Sequence, residues 1–395
     1  MPLAHWDECA DLALTRIRAS GAEYGDIRIQ HGVTQLIEGE DRRIARIDEQ
    51  ADSGFGVRVL YRGGWGFAAS SILSFEDIPR VADLAIAMAK QASLMVRPIR
   101  LVEEPVHVDH VRTPRCIDPF DVPIEEKTCL LSDIMEYLHG QPRIVRSRAT
   151  LWARQDRKLF VSTEGTHLVF DLLAVQGGCE ATAAHHGLFA SRRFSTPHLR
   201  TGYELIRNTD FLSEASRIAA QAIEKVNAPP VEAGTYDLVL DPEHLVLTIH
   251  ETCGHPSELD RALGYEANYA GTSFLTPELR GTFRYGSPCV TLVADNTEPE
   301  TLAATGYDDD GVACQRWDIV RDGRFVGYCT NRELASLIGD TRSRGSNRAQ
   351  SWAHIPMIRI ANIGLEPGPY HLDQLIGGTT RGIYIEGHGS YSIDQ

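Results

Sequence analysis

The decisive stretch runs Thr235-Tyr236-Asp237-Leu238-Val239-Leu240-Asp241-Pro242, then through Leu245, Val246 and Ile249 to His250-Glu251-Thr252-Cys253-Gly254-His255. Its first six residues read as a strand. Asp241 suits an N-cap, and Pro242 suits the first helical position, where no N–H is needed. Leu245, Val246, Ile249 and Cys253 recur at helical spacing, so the helix is expected to be anchored by its own core face. The last six residues hold two imidazoles and a carboxylate. Imidazole is a common zinc ligand, and a Glu beside a metal can take a proton from water.

The spacing sets a condition. In the familiar zinc-peptidase pattern the histidines lie four apart on one helix face. Here they lie five apart. On a regular helix five steps turn a side chain by about 140°, and both rings could not face one metal. Two residues can relieve this. Gly254 permits unusual backbone angles, and Pro256 has no N–H to return to Thr252. A π-type turn over this stretch would realign residues five apart.

Beyond the hexapeptide, the run from His250 to Pro256-Ser257-Glu258-Leu259-Asp260 resembles the active-site signature of the TldD/PmbA family of metallopeptidases, His-Glu-x-x-Gly-His-x-x-Glu-x-Asp. Five further segments resemble family blocks in the same order. Gly54-Phe55-Gly56-Val57-Arg58 and Gly64-Trp65-Gly66-Phe67-Ala68 match loosely, and Gly311-Val312 resembles the start of a family hairpin. Arg348-Ala349-Gln350-Ser351-Trp352-Ala353-His354-Ile355-Pro356-Met357-Ile358-Arg359 differs from its block by Trp352 for tyrosine, and Gly382-Ile383-Tyr384 precedes a glycine-rich strand.

The resemblance implies zinc on His250, His255 and a cysteine near the C-terminus, with Glu251 as the catalytic base. It implies cytoplasmic proteolysis of short or unfolded polypeptides by a dimer, either of identical chains or with a related PmbA-type subunit. The histidine–glutamate motif places this chain with the TldD type. The family cysteine follows the Gly-Ile-Tyr strand by a long stretch, whereas this sequence ends at Gln395. The expectation is a chain lacking its C-terminal part and the third ligand, and therefore weaker metal binding. Cys253 is expected to point away from the histidines. Cys329 could approach from another element, but a small buried hydrophobe is its commoner role. Glu258 and Asp260 are expected to orient the histidines rather than to bind metal.

Whole-chain properties agree with an enzyme. At 395 residues two domains are the natural expectation. A net charge of −15 argues against nucleic acid and anionic membrane as partners. No apolar run approaches a membrane span. Eight cysteines without a Cys-x-x-Cys pair suggest reduced thiols in a cytoplasm.

Helical periodicity marks Trp6 to Ile17, ended by Gly21. It also marks Ile78 to Ala89 behind a Ser74/Asp77 cap, Ile124 to Leu138, and Phe211 to Val226 with Leu212 on the apolar face. Alternation marks strands at Ile27–Val33 and Phe55–Tyr61, the latter turning at Arg62-Gly63-Gly64. Leu159–Val161 and Leu168–Leu172 flank a turn at Glu164-Gly165. Ala228-Pro229-Pro230 is the expected boundary between an N-terminal domain, 1–228, and a C-terminal metallopeptidase domain, 231–395. The latter has strand candidates at Cys289–Ala294, Cys314–Val320 and Arg324–Cys329, the last two joined by an Asp322-Gly323 type I′ turn. Runs of strands with clustered helices predict an α+β fold, with a β-rich C-terminal domain carrying the histidine helix.

The remaining candidates are weaker. Asp308-Asp309-Asp310-Gly311 lacks the alternation of a calcium loop and is expected to be a solvated turn. Arg342, Arg344 and Arg348 read as a solvated loop, with a clamp on a peptide carboxylate as the sharper alternative. His185-His186 and His388 are poor ligand candidates. The sequence therefore points to a zinc-dependent peptidase, with a metal-free subunit or scaffold of a dimeric peptidase as the alternative.

Overall fold

The computed structural model describes residues 3–94, 99–387 and 389. His388 and the last six residues lie outside them. The fold is mixed α and β in two parts, as the patterning predicts.

The N-terminal part contains α1 (Leu3–Ala19), β1 (Tyr24–Glu40), β2 (Arg43–Tyr61), β3 (Gly64–Ser70), α2 (Asp77–Ala92), β4 (Val108–Arg112) and α3 (Ile124–His139). It continues with β5 (Ile144–Ser162), β6 (His167–His185), β7 (Leu188–Ser195), α4 (Glu204–Asn208) and α5 (Phe211–Asn227). The strands form one sheet in the order β3-β2-β1-β5-β6-β4, with β7 also on β6. Alternation gives the sheet two unlike faces. Ile27, Ile29 and Ile37 of β1 share a face with Leu151, Ala153, Leu159 and Val161 of β5, and all are buried. Helices α1 and α2 cover one end of that face, and α3 and α5 cover the other.

Periodicity located α5 within one residue and α2 within three, because each buries a regular apolar stripe. Leu212 is an exception: it is exposed, and Phe211 and Ile218 fill the stripe instead. Strand extents were underestimated. β5 and β6 are each 19 residues long, far beyond the short apolar runs at Leu159–Val161 and Leu168–Leu172. Many of their other residues are small or polar, so large apolar side chains such as Leu151 and Val175 stand too far apart to extend the signal. The Arg62-Gly63 and Asp322-Gly323 turns both have two positive φ values, as tight hairpins require.

The C-terminal part contains β8 (Asp237–Leu240), α6 (Pro242–Ile249), a π turn (His250–Gly254) and α7 (Leu259–Ala262). It then adds β9 (Leu292–Asp295), β10 (Arg316–Arg321), β11 (Arg324–Phe325), β12 (Asn347–Arg348), β13 (Met357–Ile358), β14 (Ile363–Leu365), α8 (Leu372–Gly378) and β15 (Gly382–Ile385). The main sheet runs β11-β10-β9-β14, and β15 pairs in parallel with β8. Beyond Phe325 the expected third strand is irregular. Its Cys329 instead makes one bridge to Glu258, locking the segment after the π turn to the domain core.

This second part covers the other face of the long sheet. The Asp308–Asp310 run lies there, buried, which overturns its reading as a solvated turn. Asp309 meets Lys158 at 2.5 Å and Arg28 at 3.9 Å, and Asp310 meets Arg58 at 2.7 Å. Asp308 accepts backbone N–H groups from Asp310, Val312 and Asn347. Three adjacent carboxylates can be buried because cations from β1, β2 and β5 and a ring of amides compensate them.

Candidate metal centre

The motif helix starts as predicted: Asp241 caps it by accepting the His244 N–H at 2.7 Å, with Pro242 at its start. Its apolar stripe is a core face only at its end, where Ile249 packs against the domain core. No residue of α6 is fully buried, Val246 is exposed, and of the four predicted positions only Cys253 is enclosed. The helix is positioned mainly by its ends, β8 before it and the π turn after it.

At the π turn the His255 N–H donates to the carbonyl of His250, five residues back. That single wider turn cancels the angular offset of a five-residue spacing. The His250 and His255 rings stand 4.8 Å apart and nearly perpendicular. One ligand atom from each of His250, Glu251 and His255 lies within 4.8 Å of the others. Gly254 lies at φ −59°, so its role is close approach: a Cβ there would sit 3.0 Å from Ile360 Cδ1.

The hydrogen bonds behind His255 select its free nitrogen. Glu258, fully buried, accepts from His255 Nδ1 at 2.9 Å. The Arg261 guanidinium also lies 3.2 Å from Nδ1. Nδ1 cannot donate to one and accept from the other, and the nearer carboxylate is the stronger partner. Nε2 is then left with its lone pair outward, the usual state of a histidine metal ligand. Burial, and then the nearby His255, lower the pKa of His250, which also favours a neutral ring with a free lone pair.

Sequence reasoning missed most of this support. Arg261 bonds Glu258 and the Ala270 carbonyl, and Arg359 bonds Glu266 at 2.9 Å. Only Arg359 lay in a quoted segment, and nothing local linked it to His255. Asp260 receives the Ile358 and Arg261 N–H groups and does not contact the histidines. Burial, with Glu266 and Glu258 nearby, pushes Asp260 up to about 7.

The donor set suits zinc. Tetrahedral Zn–N bonds near 2.05 Å would set two nitrogens about 3.4 Å apart. The half-exposed His250 side chain has room for the remaining adjustment. The cysteines weighed as substitutes fit less well. Cys253 and Cys329 are wholly enclosed, and burial pushes their thiols up to about 12 and about 11, so a thiolate is disfavoured at either. Among the described residues, His250, Glu251 and His255 are the one group of three or more such side chains with metal-ligand spacing. The rings of His185 and His186 lie 3.9 Å apart at the β6–β7 turn, tilted by 55°, and belong to no such group.

Comparison with known proteins follows the same lines. The profile of the PmbA/TldA metallopeptidase C-terminal domain matches residues 233–394. That of PmbA/TldA metallopeptidase domain 1 matches residues 25–89. A metalloprotease of Methanocaldococcus jannaschii is 28% identical over 94% of this chain and 80% of its own length. A zinc metalloprotease TldD homolog of Saccharolobus solfataricus is 22% identical, over 92% of this chain and 77% of its own. In fold, the chain is similar to TldE from Thermococcus kodakarensis, with TM-score 0.73, 16% identity and coverage of 96% and 84%.

Proposed function

Because the chain belongs to the PmbA/TldD metallopeptidase family, we propose that it is a zinc-dependent peptidase that hydrolyses short or unfolded polypeptides. The observation that carries this reading is the π turn, which gathers His250, Glu251 and His255. His250 and His255 would hold the metal. Zinc bound there supplies Lewis acidity, lowering the pKa of a water and stabilising charge on the carbonyl oxygen. Glu251, one residue along the turn, takes the proton of the attacking water and passes it to the leaving amine. Glu258 keeps the His255 ring in register through Nδ1. An edge of the β8–β15 pair, which takes no further strand among the described residues, can hold the substrate extended through backbone hydrogen bonds, which tolerate many sequences.

We read the protein as cytoplasmic and as working with a second chain of its family, either a copy or a PmbA-type subunit. Exposed Leu238 and Val246 support a covered surface beside the motif helix. Among the described residues no helix is long and apolar enough to cross a membrane.

The test is zinc content with peptide turnover. The chain should bind about one zinc, lost in His255→Ala, while Glu251→Gln should keep the metal and lose about 100-fold or more of the cleavage rate. Full cleavage by Glu251→Gln would sink the proposal. A chain that never binds zinc would support the metal-free subunit instead.

A further inference from the structure

A cleft of about 140 Å³ lies between the long sheet and the C-terminal part. It is lined by four cations, Arg154, Lys158, Arg200 and Arg348. Two are already matched: Arg154 makes a two-pronged contact with Asp156, and Lys158 pairs with Asp309. The other carboxylate in the wall, Asp308, is taken up by three backbone amides. Arg200 and Arg348 have no carboxylate partner among the described residues. Each is fixed instead by one main-chain carbonyl: Arg200 Nε donates to Leu302 at 2.7 Å, and Arg348 Nη2 donates to Ile360 at 2.9 Å. Their remaining N–H groups are unspent.

Burial holds Arg200 down at about 10 and lowers Arg348 as well, although the Arg348 surface stays open in the cleft. Each guanidinium is pinned by a neutral acceptor, and the nearest acids, Asp156 beside Arg200 and Asp309 beside Arg348, act on them only from beyond ion-pair distance. A planar carboxylate fits them, because guanidinium and carboxylate match in two parallel hydrogen bonds.

The cleft also adjoins the metal centre. Ile360, whose carbonyl holds Arg348, packs its side chain against Gly254 of the π turn. A polar groove of about 340 Å³, sharing Gln30, Arg154 and Gln350 with the cleft, continues along the face of β1. Two arginines of the basic segment thus have different roles. Arg342 is occupied by Glu104, through Nε at 2.8 Å and Nη2 at 2.7 Å, whereas Arg348 faces the cleft.

We propose that Arg200 and Arg348 form a subsite that grips a carboxylate of the peptide substrate. This rests on the peptidase reading for the identity of the ligand. It makes the preferred substrates acidic, through either a C-terminal α-carboxylate or an Asp or Glu side chain.

The test uses zinc-loaded chain and labelled peptides in two matched pairs. The first pair differs only in a free-acid or amidated C-terminus. The second has an amidated C-terminus and carries an internal Glu or Gln. Binding is followed by fluorescence anisotropy, which needs no turnover, and cleavage is followed in parallel. One member of a pair should bind about 10-fold or more tighter than its neutral mate, as charge-assisted hydrogen bonds allow. The pair that shows the preference identifies the source of the carboxylate. Arg348→Gln and Arg200→Gln should each erase most of the preference, and Arg342→Gln should keep it. Equal binding within both pairs by the unaltered chain overturns the subsite, whether or not the peptides are cleaved. A preference kept in both cleft variants overturns it too. Carboxylate-dependent binding with no cleavage would leave the subsite standing and remove the peptidase reading.

Discussion

The His255 N–H reaches back to the carbonyl of His250, and this one hydrogen bond brings their rings to 4.8 Å. A four-residue spacing would align two histidines on an ordinary helix. Here the same alignment depends on a backbone irregularity, which must be held from outside. The holding groups are the Glu258 contact with His255, the Cys329 bridge to Glu258 and the Ile360 side chain against Gly254.

Glu258→Gln tests the first of these contacts. The amide keeps the shape but loses the charge that fixes the Nδ1 proton. Zinc affinity should fall by about 10–100-fold in competition with a chelator, with the fold retained by circular dichroism. Unchanged affinity would show that Glu258 serves only Arg261.

Asp260 makes the stability of the C-terminal part pH-dependent. Burial, then Glu266 and Glu258, raise it from 3.8 to about 7 in the folded chain. Its stabilising contribution is therefore present below about pH 4 and lost as pH rises through 7. Asp260→Asn should remove that loss. In metal-free protein the variant should gain thermal stability over the parent at pH 8, with the gain shrinking toward pH 4. A gap that widens on acidification would contradict this.

Arg58 sits between Asp26 and Asp310, each at 2.7 Å, and all three are nearly fully enclosed. Arg58→Ala would leave two buried carboxylates uncompensated. Unfolding in urea should show a loss of about 3–5 kcal/mol. A loss below 1 kcal/mol would mean that water enters this interface readily.

Gly54 tests the contact between the two parts of the chain. A Cβ there would clash with the Trp352 ring, whose Nε1 donates to Asp52 at 2.9 Å. Gly54→Ala should cost about 1–3 kcal/mol and shift tryptophan fluorescence. In a Trp352→Ala background the same change should be nearly free. Additive effects of the two substitutions would show that the clash is relieved elsewhere.

Much of the fold is written in local sequence. Helices α2, α3 and α5 each bury one face, and a 3.6-residue apolar repeat records that directly. The Asp241-Pro242 helix start and the two glycine turns are likewise local, because caps and tight turns are set by a few adjacent residues. His250, Glu251 and His255 could be named as metal candidates because they are close in sequence, and a π turn was one of the local disruptions, beside those at Gly254 and Pro256, that the five-residue spacing allowed.

The tertiary structure decided what depends on distant partners. Asp308–Asp310 reads locally as a solvated charge run, yet it is buried because Arg28, Arg58 and Lys158 lie 151 to 281 positions away along the chain. The α6 stripe reads as a core face, yet among the described residues only its end, Ile249 and Cys253, meets the domain core, and Val246 is exposed. Arg200 carries no motif and becomes a candidate ligand-binding group only where the sheet meets the segment holding Arg348. Local backbone preference is encoded in neighbouring residues. Burial and charge compensation depend on which surfaces meet, and that emerges only when the chain has packed.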